Sequence, residues 1–360
     1  MKQALVLHPR FTLYGGGELL CLNVIKALQD KGYHVTLASD EYSPVSCERI
    51  YGPLARCLAY VDRLLIPPFH RSFPRFLAYQ HIRYAGQVQH LFQRTNPELV
   101  FSTQSSLYYV PGIDTYHFIY DMVDLSVVKF SHHIASTWWK WPYYRALKRY
   151  RKMLEKPEPT RHFLALGKAI SHDLSELGYE NQIILPPCPV DYGPLPKKKQ
   201  IVQVTRVVPQ KRLEEFAEIA SHLSFDFHII GLTNEAFKGY AKRVLAKMPG
   251  NVHYYEKPLR LMSQVLQESK VYLYTSHEPG LPIAVVQGMG AGCFPITPNV
   301  GGGCEAVELA GVGATYYNSE DAILKTRLAM ESNGIEQELT DASARFSPES
   351  FREKIRMMIQ

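Results

Sequence analysis

The chain has 360 residues, enough for two domains that each bury a core. Its 46% hydrophobic and 21% charged composition excludes a disordered chain, and a net charge of +6 is too small to argue for nucleic acid by itself. The cysteines (Cys21, Cys47, Cys57, Cys188, Cys293, Cys304) are scattered without a CxxC pair, which argues against a zinc ribbon and reads as buried thiols in a reducing compartment.

The apolar run Ala4–Leu7 predicts a short buried strand. It is too short for the core of a secretory signal, and no later stretch approaches the length of a transmembrane helix, so a cytoplasmic protein is expected, free or on a membrane face. After the glycines at 15–17, Glu18 opens a helix with Leu20, Val24 and Leu28 on one row and Gly32 as its stop. His34–Ala38 completes a βαβ unit. Residues 47–95 read mainly as helices and loops. Leu99–Thr103, Tyr116–Tyr120, Phe163–Leu166 and Gln182–Leu185 are predicted strands, and Trp138–Lys156 a helix.

A proline-rich, then basic stretch from Pro186 to Lys199 marks a domain boundary. Beyond it the pattern alternates. Strands are predicted at Ile201–Thr205, Phe227–Gly231, Val252–Tyr255, Val271–Thr275 and Phe294–Thr297, with helices at Leu213–Ser224, Leu261–Ser269 and Ile283–Ala291. Alternation of this kind builds a parallel sheet covered by helices. The expected organisation is α/β, with two Rossmann-like domains facing across a cleft. The first domain is 1–187, the linker 188–199 and the second domain 200–345. Ligands in such sheets bind beyond the carboxyl ends of the strands.

Five features carry candidate chemistry. Gly15, Gly16 and Gly17 precede a helix, where amides and dipole suit a phosphate; the same residues also suit a plain flexible turn. Their spacing is not the GxGxxG of dinucleotide enzymes. Arg206 and Lys211 follow a strand and could neutralise a diphosphate leaving group, or be solvated loop cations. The loop from Ser276 through Glu278, Gly280, Leu281 and Pro282 offers a carboxylate and amides to sugar hydroxyls, with Gln287 set to reach a ribose. Gly301, Gly302 and Gly303 repeat the first motif's logic before Glu305. His117, at the end of a strand, suits a sugar hydroxyl or an acceptor, but a single histidine near a strand is more often structural, and spacing alone favours that role; Asp121 and Asp124 downstream are acceptor-side carboxylates or turn residues.

All three tryptophans lie in one segment. Trp138, Trp139 and Trp141 lead into Lys148, Arg149, Arg151 and Lys152, and Arg56, Arg63, His70, Arg71 and Arg75 add basic residues among apolar ones. Rings interleaved with cations suit an anionic membrane surface carrying a lipid-linked acceptor. A helix with an aromatic core face and a solvated basic face reads the same way, and nucleic acid is a third, less favoured partner.

Taken in order, Gly15-Gly16-Gly17-Glu18, Tyr116-His117-Phe118, Leu185-Pro186-Pro187-Cys188, Val204-Thr205-Arg206 with Lys211, Glu278 through Met289, Ala291-Gly292, Pro295 and Gly301-Gly302 resemble the retaining glycosyltransferases of family 4. Within that family the chain looks most like GDP-mannose-dependent mannosyltransferases that extend lipid-linked oligosaccharides. The resemblance spans nearly the whole chain. It implies the GT-B fold, with a C-terminal helix, 346–360, returning to the first domain. It also implies a hexose moved from a GDP- or UDP-linked sugar, which is a substrate, with no cofactor or metal. Arg206 and Lys211 would bind the diphosphate, Glu278 the donor sugar, His117 that sugar's hydroxyls, and Gly16 and Gly17 the phosphate from the other domain. The family's two glutamates stand eight residues apart. Here Gln287 lies nine after Glu278, and His277 or Pro279 competes with Glu278 for the first position. That departure leaves a non-catalytic partner binding a nucleotide sugar or glycan as the alternative reading.

Overall fold

The computed structural model describes residues 2–11, 15–66, 90–104, 112–120, 145, 158–189, 195–233, 237–256 and 259–359. They form two compact units, residues 1–184 with 351–360 and residues 185–350.

The first unit holds a seven-stranded sheet in the order β3-β2-β1-β4-β5-β6-β7, every neighbouring pair parallel. The strands are β1 (Gln3–His8), β2 (His34–Ser39), β3 (Val61–Leu65), β4 (Leu99–Ser102), β5 (Asp114–Ile119), β6 (Arg161–Ala165) and β7 (Asn181–Ile183). Ala4–Leu7 is buried on both faces, which is why it reads as an unbroken apolar run. Helix α1 (Gly16–Asp30) lays Leu20, Val24 and Leu28 on one face of the sheet. Gly32, at φ +80°, then turns the chain into β2. Helix α2 (Pro44–Tyr51) and a 3-10 turn (Gly52–Tyr60) precede β3. Helix α3 (Lys168–Glu176) covers the other face through Ile170 and Leu174.

The second unit holds β8 (Lys198–Val207), β9 (Asp226–Thr233), β10 (Val252–Glu256), β11 (Ser269–Leu273), β12 (Phe294–Pro298) and β13 (Ala314–Tyr316). Their order is β10-β9-β8-β11-β12-β13, again parallel throughout. Its helices are α4 (Leu213–Ser221), α5 (Lys238–Leu245), α6 (Leu259–Glu268), α7 (Ile283–Gly290), α8 (Gly301–Ala310), α9 (Ser319–Glu331) and α10 (Glu336–Ser343). One apolar cluster packs α7 and α8 on one face, and another packs α4, α5 and α9 on the other.

The last helix, α11 (Pro348–Met358), belongs to the first unit from Phe351 onward. Phe351, Ile355 and Ile359 enter the cluster beneath α1. Arg352 donates to the Asn23 side chain at 2.7 Å, and the Tyr116 hydroxyl donates to the Met358 carbonyl at 3.1 Å.

Four sequence readings change. Residues 61–65 form an edge strand, hidden because none of VDRLL is buried and two of its five residues are charged. Lys198 and Lys199, read as linker, begin β8; Lys198 pairs with Glu268 at 2.6 Å and Lys199 with Glu331 at 3.2 Å. Gly301–Gly303 is the first turn of α8, not a loop. β13, α9 and α10 were not anticipated. The tryptophan-rich segment with Trp138, Trp139, Trp141, Lys148, Arg149, Arg151 and Lys152 lies outside the described residues, as do Asp121 and Asp124. Among the described residues no helix is long and apolar enough to cross a membrane.

Candidate active site

In each sheet the strand order reverses at one place, between β1 and β4 in the first unit and between β8 and β11 in the second. The crevice beyond the carboxyl ends at such a switch point is where doubly wound sheets bind ligands. Gly15, Gly16 and Gly17 follow β1 at the first of these places, and Arg206, Lys211 and Glu278 lie at the end of β8 and in the segments after β8 and β11 at the second.

In the second unit, β8 ends at Val207 and a 3-10 turn (Pro209–Lys211) follows; β11 ends at Leu273 and the loop 274–282 follows. Two buried hydroxyls sew the turn to the loop. Thr275 Oγ1 donates to the Lys211 carbonyl at 2.7 Å, and Ser276 Oγ to the Gln210 carbonyl at 2.9 Å. Across the strands, the Tyr272 hydroxyl accepts from Val204 N–H at 3.1 Å and donates to the Val204 carbonyl at 3.0 Å. The backbone carrying Arg206 is thereby fixed. The Lys211 ammonium is bonded to the Glu278 carboxylate and stands 5.8 Å from the Tyr274 ring centroid. Glu278 N–H also donates to Ser276 Oγ at 3.3 Å. Arg206 is exposed on the last turn of β8 pleat. Burial pushes the Tyr274 hydroxyl up; Ser276 opposes this, Glu278 adds to it and Arg206 opposes it. Arg206, Lys211 and Glu278 thus surround one buried tyrosine. A cation pair flanking a carboxylate can hold a diphosphate and a sugar hydroxyl at adjacent points.

The glycines before Glu305 serve this loop. A Cβ on Gly301, which has φ +78°, would meet the Glu278 carbonyl at 2.6 Å, and one on Gly302 would meet the Gly280 carbonyl at 2.1 Å. A Cβ on Gly303 would meet Tyr274 Cδ1 at 2.8 Å. Gly302 N–H is spent on the Glu278 carbonyl at 2.8 Å. Close packing therefore requires glycine at all three positions. Leu281 is buried, Gly280 and Pro282 are half-buried, and Gln287 is half-buried on α7.

In the first unit the glycines behave differently. Gly15 caps α1 at φ −123°, and its N–H donates to Glu18 Oε2 at 2.7 Å. A Cβ on Gly17 would make only ordinary contacts, 3.7 Å from His8 Cε1 and 3.8 Å from the Tyr120 hydroxyl. Neither packing nor a left-handed backbone demands glycine here, although glycine in a helix costs about 1 kcal/mol relative to alanine.

Beneath this turn lies a buried group that the sequence did not reveal. His8 Nδ1 bonds Thr103 Oγ1 at 2.7 Å, and Thr103 Oγ1 reaches the Leu7 carbonyl at 3.0 Å. His8 Nε2 faces Glu18 Oε1 at 3.9 Å. Burial alone would raise the Glu18 carboxyl, but His8 and the amides of Gly15 and Glu18 hold it below its ordinary value. The one sequence signal was that His8 closes β1. His117 is buried in β5, 5.6 Å from the Phe163 ring centroid. Tyr116 and Phe118 pack on the α1 side, so alternation turns His117 to the opposite face of the sheet.

The model for glycosyl transferases group 1 matches residues 190–345, and that for glycosyltransferase family 4 matches residues 14–194. No match was found among curated protein sequences. WaaG, a glycosyltransferase involved in lipopolysaccharide biosynthesis, is a similar solved structure: TM-score 0.73, 14% identity, 99% of each chain covered. HepE of Anabaena in complex with UDP and glucose gives TM-score 0.73 and 14% identity over 100% of this chain and 99% of that one. Sucrose-phosphate synthase of Thermosynechococcus elongatus gives TM-score 0.72 and 11% identity over 99% and 98%. Identities this low speak to the fold, which is GT-B. With a family model covering half its length, the chain belongs to glycosyltransferase family 4 and is a sugar-transferring enzyme.

Proposed function

We propose that the enzyme moves a hexosyl group from a nucleoside-diphosphate sugar to a glycan or lipid-linked acceptor with retention of anomeric configuration. The observation that carries this reading is the Lys211–Glu278 pair at the switch point of the second unit, with Arg206 beside it. HepE solved with UDP and with UDP-glucose supports a nucleotide-sugar donor. WaaG's part in lipopolysaccharide biosynthesis supports a lipid-linked acceptor, as does the tryptophan-rich basic segment.

In this reading Arg206 and Lys211 stabilise the departing diphosphate. Lysine has three donor hydrogens, so Lys211 serves Glu278 and a phosphate oxygen together. Glu278 accepts from a donor-sugar hydroxyl, and Gln287 bonds the ribose without charge. The acceptor oxygen bonds C1 on the face from which the phosphate oxygen leaves. The electron pair of the breaking C1–O bond goes to the diphosphate, which takes the acceptor's hydroxyl proton. The protein's part is orientation and charge stabilisation.

A thermal-shift screen of UDP- and GDP-sugars tests the donor. Stabilisation by at least one of them in the wild type, weakened by Arg206→Ala and by Lys211→Ala, is expected. Stabilisation by none, or unchanged affinity in both variants, overturns the donor site. Flotation with anionic liposomes tests the membrane face. Failure to bind, or binding unchanged when Lys148, Arg149, Arg151 and Lys152 are made Glu, removes that part of the reading.

A further inference from the structure

Thr275 holds Lys211 from one side by donating to its carbonyl. The residue on the other side has an unusual backbone. Arg212 sits at φ +50° and ψ +46°, between the 3-10 turn and the first residue of α4. Among the described residues the other non-glycine with a positive φ is Asn96. Asparagine visits this region readily, whereas the Cβ of arginine crowds the following carbonyl oxygen there. In the right-handed region Arg212 would run the 3-10 turn straight into α4 and carry the Lys211 side chain away from Glu278. A strained joint of this kind persists only where its surroundings hold it.

Glu215 is what holds it. One turn into α4, its Oε2 accepts from Arg212 Nε at 2.8 Å. Its Oε1 accepts from the Tyr316 hydroxyl at 2.7 Å. Tyr316 is buried at the end of β13, and the same hydroxyl lies 3.3 Å from the Tyr274 carbonyl. Burial, and then the neighbouring Glu215, push the Tyr316 hydroxyl up, so it remains a donor. One carboxylate oxygen is therefore on the strained residue and the other on the sheet. Glu214, beside it in the first turn of α4, turns elsewhere and accepts from the Tyr240 hydroxyl at 2.8 Å. Arg212 is half-exposed, so its ion pair with Glu215 adds little to folding; its effect is on which backbone region Arg212 occupies.

We propose that Glu215 is a positioning residue: braced by Tyr316, it locks Arg212 in the left-handed region and so keeps Lys211 beside Glu278. The proposal rests on the donor reading above, in which Lys211 meets the diphosphate. Glu215 itself touches no ligand, and its whole effect passes through Lys211.

The test is calorimetry with UDP-glucose and GDP-mannose, beside a melting curve for each variant. Glu215→Gln keeps the shape of the side chain but loses the charge that grips Arg212. It is expected to weaken binding about tenfold, the scale of one charge-assisted hydrogen bond. In a Lys211→Ala background the same change is expected to do nothing further, because the two residues act as one unit. Adding Arg212→Gly to Glu215→Gln is expected to restore affinity, since glycine takes the left-handed region unaided. Glu214→Gln, the same charge change in the same turn, is expected to leave affinity as it was. A glutamate that only stabilised α4 would add its loss to that of Lys211→Ala and would not be rescued by glycine. Unchanged affinity in Glu215→Gln, additive losses, or no rescue overturns the role of Glu215 alone. Should Glu215→Gln fail to fold, Tyr316→Phe decides: it removes only the brace and is expected to weaken binding in the wild type but not in Lys211→Ala, and any other pattern overturns the role. Failure of both nucleotide sugars to bind the wild type overturns the donor reading, and this role with it.

Discussion

Gly302 donates its amide hydrogen to the Glu278 carbonyl at 2.8 Å, which makes the first turn of α8 and the carboxylate loop one piece. The two glycine triplets therefore do different jobs. Gly302→Ala puts a methyl 2.1 Å from the Gly280 carbonyl and is expected to cost about 1–3 kcal/mol or more. Gly17→Ala meets only contacts of 3.7 and 3.8 Å and is expected to leave the melting temperature unchanged or slightly raised while weakening donor binding. Thermal unfolding and nucleotide-sugar titration of both variants check this; a destabilised Gly17→Ala variant with normal binding would reverse the assignment.

Lys211→Ala removes a cation placed at the developing charge of the leaving group. A loss in kcat on the order of 10²–10³ is expected, with little change in stability. The carboxylate it leaves is about a third exposed, so the pair contributes at most about 1 kcal/mol to folding. Steady-state kinetics beside a denaturation curve separates the two. Equal losses in stability and rate would mean that Lys211 is structural.

His228 predicts a pH effect on stability. Burial, helped by the neighbouring His253, lowers its pKa below the ordinary histidine value. The unfolded chain therefore takes up a proton near pH 6.5, about the unperturbed value, before the folded chain does. Stability is unaffected above that pH and is lost as pH falls toward the folded pKa. His228→Gln is expected to flatten the slope of melting temperature against pH on the acidic side; an unchanged slope would assign the effect to other groups.

Phe351 is almost fully buried, and its ring lies 6.0 Å from that of Phe118. Phe351→Ala is expected to cost about 3–5 kcal/mol. The loss should appear in the first unit. Hydrogen exchange resolves it: faster exchange in β1, β4 and α1 with β8 and β11 unchanged is the expected pattern.

Much of the fold was legible because parallel strands buried on both faces leave unbroken apolar runs such as Ala4–Leu7 and Val271–Leu273. Edge elements left weaker marks. Residues 61–65 place two adjacent charges, Asp62 and Arg63, in an edge strand with no buried residue, and β13 has only three residues. In the site, Arg206, Lys211 and Glu278 stood out as charges just past strand ends. The packing role of Gly301–Gly303 was not legible because glycine before a helix looks alike whether a ligand or a neighbouring carbonyl fills the space. His8 escaped notice because its hydrogen-bond partner, Thr103, is distant in sequence and meets it only through the β1–β4 pairing.

The return of α11 also orders events during synthesis. The second unit is one continuous stretch, 185–350, and emerges complete. The first unit starts to emerge earlier, but Phe351, Ile355 and Ile359 of its core follow the whole second unit in the chain. The unit whose residues emerge first is therefore the one whose core waits longer for its last contributors.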